Sequence, residues 1–115
     1  MEVKRLFDIL KLYVENHPDQ DVALARKESG SWRKFSIQEY VETTNNLSYA
    51  FIKLGIKKDD KVGIICNNRP EWNMLDMAIM QVGAISVPIY ILSLLLTELS
   101  AYQTSLLVCF TGTLN

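Results

Sequence analysis

Between Lys61 and Tyr90 the sequence reads KVGIICNNRPEWNMLDMAIMQVGAISVPIY, and this stretch constrains the fold more than any other. Val62, Ile64, Ile65 and Cys66 make a short apolar, largely β-branched run, broken by Gly63 and ended by Asn67-Asn68, which suits a strand covered on both faces. Pro70 fits the first position of a helix, where its missing N–H costs nothing. The residue before a proline is pushed out of α conformation, so Arg69 or Asn68 is expected to cap. From Trp72 to Val82 only Asn73, Asp76 and Gln81 are polar, which requires a helix buried on most of its circumference. Gly83 ends it, and Ala84 to Ile89 is a second apolar run. Two parallel strands joined by a crossover helix form a βαβ unit, which fixes the class as α/β and names no ligand.

The preceding sequence supplies elements to pack against that unit. Val3, Leu6, Phe7, Leu10, Tyr13 and Val14 recur at three and four, predicting an amphipathic helix that Pro18 ends. Val22 to Arg26 and Trp32 to Phe35 flank Glu28-Ser29-Gly30-Ser31, a hairpin in which glycine supplies the positive φ. Trp32 and Phe35 are three apart and so on opposite strand faces, which assigns at least one of them to packing. Ser36-Ile37-Gln38-Glu39 matches a capping box and opens a long helix. Its expected core face is Ile37, Tyr40, Val41, Thr44, Leu47, Phe51 and Leu54, with Gln38, Glu42, Asn45, Asn46 and Lys53 outward. Gly55 is expected to stop it in left-handed conformation, with Ile56 touching Phe51 as in a Schellman motif. Lys53, Lys57 and Lys58 read as a solvated helix exit favoured by the helix dipole, not as a binding patch.

Composition excludes several function classes. Twelve basic and thirteen acidic side chains give a net charge of -1 with no basic cluster beyond Lys57-Lys58, so no nucleic-acid partner is expected. Cys66 and Cys109 have no second pair for a metal site, and reduced thiols are expected. The first ten residues lack the apolar run of a signal peptide, which makes the cytoplasm the expected compartment. Met77 to Thr97 carries no charge and is long enough to span a bilayer, but Gln81, Gly83, Ser86 and Pro88 interrupt it and its first half belongs to the βαβ unit. A membrane span is therefore not expected.

The run from Leu54-Gly55 through Lys57-Lys58-Asp59-Asp60-Lys61, the apolar strand, Asn67-Asn68-Arg69-Pro70-Glu71-Trp72 and Val87-Pro88-Ile89-Tyr90 resembles the N-terminal part of long-chain acyl-CoA synthetases, members of the AMP-binding, adenylate-forming ligases. The resemblance covers about Val3 to Tyr90. It implies an N-terminal piece of the AMP-binding ligase fold over residues 1–90. After Tyr90 the family continues with Pro-Thr and a charged helix, whereas here Ile91-Leu92-Ser93-Leu94-Leu95-Leu96 follows and Glu98 is the only later charge. Residues 91–115 are thus expected to be a divergent apolar tail, truncated or out of frame, with a helix over Leu92 to Tyr102 and a strand over Leu106 to Phe110.

By resemblance, full-length relatives use ATP and Mg²⁺ to convert a long-chain fatty acid to an acyl adenylate and then transfer it to coenzyme A. None of their catalytic motifs maps onto this sequence, so no catalytic, cofactor-binding or metal-binding residue is assigned and the chain alone is expected to be inactive. Thr111-Gly112-Thr113 lacks the second glycine and the Pro-Lys of the family's phosphate loop. Gly63 and Gly83 fit neither GxGxxG nor GxxxxGK[ST]. Ligands of open α/β sheets sit beyond the carboxyl ends of the strands, here at Asn67, Asn68 and Arg69, but Arg69 is expected to pair with Glu71 or Asp76 and seat the loop. His17, at a helix exit without a nucleophile or carboxylate around it, is assigned no role. Self-association through the apolar tail and an open sheet edge is expected. A stand-alone non-catalytic interaction module and a small membrane-associated protein are the alternative readings.

Overall fold

A computed structural model describes residues 2–89 and, as backbone, residues 106–109. The elements run α1 (Asp8–Asn16), β1 (Leu24–Glu28), β2 (Ser31–Phe35), α2 (Ile37–Lys53), β3 (Lys61–Ile65), α3 (Pro70–Gln81), β4 (Ile85–Pro88) and β5 (Leu106–Cys109). The expected helix over Leu92 to Tyr102 and the Thr111-Gly112-Thr113 stretch lie outside the described residues.

The predicted βαβ unit is present. β3 and β4 pair in parallel, Lys61 opposite Ile85 and Ile64 opposite Pro88. Cys66, expected inside the strand, comes one residue after its end. Pro88 is tolerated because, among the described residues, β4 lies at the sheet edge, where no further ladder needs its N–H. The strand order is β4-β3-β5, and β5 runs parallel to β3 on its other side, Val62 opposite Leu106 and Ile65 opposite Cys109. β5 lies within the strand expected over Leu106 to Phe110, and β4 and β5 are the edge strands among the described residues. The tail itself supplies the neighbouring strand.

α3 lies between the sheet and α2. Leu75, Ala78 and Ile79 pack with Val62 and Ile64 of β3, Phe51 of α2 and Ala84. Met74 turns instead toward a second cluster with Leu10, Phe35, Ile37 and Tyr40. One helix thus reaches both cores, which is why so much of its circumference is apolar.

α2 begins as predicted, with the Ser36 hydroxyl accepting from the Glu39 backbone N–H at 3.1 Å. The Glu39 carboxylate turns to Arg33 on β2 in place of the reciprocal bond of the box. Leu54, expected on the core face, is 68% exposed, and Ser48 is buried in its stead. The reason is the helical period: the buried positions Ile37, Tyr40, Thr44, Ser48 and Phe51 form a stripe whose next position is Gly55, so Leu54 falls to the side of it. Gly55 follows with φ +88°, its N–H bonding the Ile52 carbonyl and the Ile56 N–H bonding Phe51.

α1 is shorter than its apolar stripe. The Asp8 carboxylate accepts from the backbone N–H groups of Lys4 and Arg5, closing a turn that competes with helix, so Val3 and Leu6 stay exposed and Leu10 is the residue of α1 that is buried. β1 begins two residues later than predicted and β2 one residue earlier, and Ser29 as well as Gly30 adopts positive φ, as a two-residue type I′ turn requires. Across β2, Phe35 is buried while Trp32 is 63% exposed.

Candidate functional site

The carboxyl end of β3 opens into two clefts that share Asn67, Asn68 and Asn73. The larger, about 920 Å³, lies between the hairpin, which contributes Arg26, Lys27 and Trp32, and the start of α3, which contributes Arg69 and Pro70. The second, about 860 Å³, is bordered by Cys66, Trp72, Pro88 and Ile89. Both sit where a parallel sheet presents ligands.

The chemistry of this end is set by four charges. Arg69 is the N-cap of α3 in extended conformation and makes no cap with its side chain. Its Nε and Nη2 donate to the Glu71 carboxylate at 3.0 and 3.3 Å, the pairing expected from the sequence. Arg26 of β1 donates to the same carboxylate and also to Glu28. Partial burial pushes the Glu71 carboxyl up, but the hydrogen bond from Arg69, its own backbone N–H and the charges of Arg69 and Arg26 outweigh that and hold it below the usual carboxylate range. The hydrogen bond to Glu71 in turn raises Arg69. A carboxylate, not an incoming anion, occupies the positive end of α3.

Arg26 is the residue that sequence reasoning missed. Its signal was available: Leu24 and Arg26 are two apart and share the half-buried face of β1, and a cation on an inward face needs a partner.

The remaining candidates are not gathered here. His17 is exposed at the end of α1, its ring 5.0 Å from that of Tyr13. Cys66 is half-buried and in no disulfide. Among the described residues no group of three or more His, Cys, Asp or Glu could hold a metal ion, and no helix is long and apolar enough to cross a membrane. Nor do the described residues fit a nucleoside triphosphate. The loop from Asn67 to Arg69 has no glycine to admit phosphate to the backbone, and Glu71 would repel it.

Comparison with known proteins places this architecture. Residues 10–101 match the AMP-binding enzyme family, a match that reaches past Tyr90. Fatty acyl-CoA synthetase A of Dictyostelium discoideum is 36% identical over 67 residues, covering 58% of this chain and 10% of that protein. Long-chain-fatty-acid–CoA ligase ACSBG2 of Xenopus laevis is 38% identical over 69 residues, covering 60% of this chain and 9% of its own length. The chain thus spans about a tenth of the length of these curated relatives. Among solved structures, fatty acid AMP ligase from Legionella pneumophila superposes with a TM-score of 0.70 at 16% identity, covering 77% of this chain and 15% of that one, a likeness of fold. With four-fifths of its length inside the family match, the chain belongs to the AMP-binding enzymes.

Proposed function

We propose that the chain contributes the N-terminal βαβ scaffold to an enzyme that activates a long-chain fatty acid with ATP and Mg²⁺ and passes the acyl group from its adenylate to coenzyme A, in the cytoplasm. The observation that carries this reading is the 36 and 38% identity to proteins named as fatty acyl-CoA synthetase and long-chain-fatty-acid–CoA ligase. The part played by residues 2–89 is positioning: α3 is held between sheet and α2, and the Glu71 cluster fixes the loop at the carboxyl end of β3. We also propose that the isolated chain self-associates. Ile85 on the edge strand β4 is 45% exposed, and Tyr49 and Ile52 stand exposed on α2.

A chimera tests the enzymatic reading. Residues 10–101 replace the matching segment of the Xenopus laevis ligase, and acyl-CoA formation from palmitate is followed alongside the thermal transition. Retained palmitate-dependent synthesis supports the reading. A chimera that melts like the parent but makes no acyl-CoA contradicts it.

A further inference from the structure

The β1–β2 hairpin meets the rest of the chain through a packed base and two ion pairs. At its base, Phe35 is buried and Ala23 and Leu24 pack with Leu10, Ile37, Tyr40 and Met74. Farther out the links are electrostatic: Arg26 pairs with Glu71 on α3, half-buried, and Arg33 pairs with Glu39 at the start of α2, more exposed and so the weaker tie. Beyond Arg26, residues 27–32 are exposed, and Lys27, Glu28, Ser29, Ser31 and Trp32 line one wall of the 920 Å³ cleft whose other wall includes Asn67, Asn68 and Asn73.

Each member of the Arg26–Glu71 pair has a second partner on its own element: Glu28 for Arg26 and Arg69 for Glu71. Separating a half-buried ion pair is ordinarily costly because it strands a charge. Here separation leaves two local pairs, Arg26 with Glu28 and Glu71 with Arg69, so neither charge is orphaned. The packed base, by contrast, has no alternative partner for Phe35. We propose that the hairpin is a flap hinged at Phe35, with the Arg26–Glu71 pair as the latch that sets the width of the cleft at the carboxyl end of β3. The open form swings the outer hairpin, with Trp32, away from Asn67 and Asn68, and the closed form is the one described here.

Backbone ¹⁵N relaxation dispersion on the full 115-residue chain reads such motion on the microsecond-to-millisecond scale. Glu71→Gln and Arg26→Met are each expected to raise the open population on the order of five-fold, seen as exchange broadening at residues 26–33 and 67–69 and not in α2. Gly55→Ala lowers stability without touching the latch and is expected to leave hairpin dispersion unchanged. Flat dispersion in the hairpin of both latch variants overturns the proposal. So does broadening that rises equally in α2 and β3, since that reports general loosening.

Discussion

The backbone N–H of Ile56 donates to the carbonyl of Phe51 at 3.0 Å, closing α2 across Gly55. Ala84 does the same to Ile79 at 3.1 Å across Gly83, closing α3. The two ends are joined, because the Asp59 N–H donates to the Gly83 carbonyl at 2.9 Å. Two Schellman motifs thus carry the chain into β3 and into β4, and each buries the residue that follows against the same core.

Gly55→Ala and Gly83→Ala should therefore each cost about 1 kcal/mol in denaturant melts, because φ is +88° and +78° there and an L side chain is disfavoured in that region. Space is not the cause: a Cβ at Gly55 meets nothing within 4 Å, and one at Gly83 meets Lys58 at an ordinary 3.5 Å. Unchanged stability in both variants would contradict the motif as the source of the turn.

α2 and α3 also meet through polar atoms. The Ser48 hydroxyl lies 3.1 Å from the Thr44 carbonyl and 3.3 Å from the Ala78 carbonyl, and it bonds the Gln81 side chain, which reaches Asn45. Thr44, fully buried one turn earlier, has a hydroxyl without a partner. Ser48→Ala should cost about 1 kcal/mol, whereas Thr44→Val should be neutral or stabilising because it removes an unpaired buried polar group. Equal losses from the two in chemical denaturation would contradict this division.

Glu71 makes stability depend on pH with a definite sign. Its folded carboxyl is held below the ordinary value of 4.5, so its contribution is present above that value and is lost as pH falls through the folded pKa. The stability difference between wild type and Glu71→Gln should be largest near about pH 6 and shrink below about pH 4.5. A difference that grows on acidification would contradict the ion-pair assignment.

β5 seals one side of β3, so a version ending at Tyr90 uncovers the backbone of Val62 to Ile65. Light scattering at tens of micromolar should find the full chain associated and the shortened one more so. A monodisperse full-length monomer would contradict self-association.

The parts of the fold that were legible in the sequence are those set by local rules. Pro70 and Gly83 bracket α3, Ser36 opens α2 and Gly55 closes it, each through a backbone preference that acts within a few residues. The features that escaped depend on distant partners. Leu54 yields the core face to Ser48, whose hydroxyl meets Ala78 and Gln81 of α3, β5 pairs with β3 across forty positions of sequence, and Arg26 of β1 finds Glu71 on α3. The candidate site was legible as a place, the carboxyl end of β3, but not as a four-charge cluster, since the pairing joins two elements whose approach no local pattern records.

The proposed scaffold role in fatty-acid activation has a direct test, since catalysis of that reaction needs donors held against the phosphates. ATP–pyrophosphate exchange with palmitate and Mg²⁺, measured on residues 1–115 free of host ligase, should remain at the blank. Exchange clearly above the blank, abolished when palmitate is omitted, would contradict it.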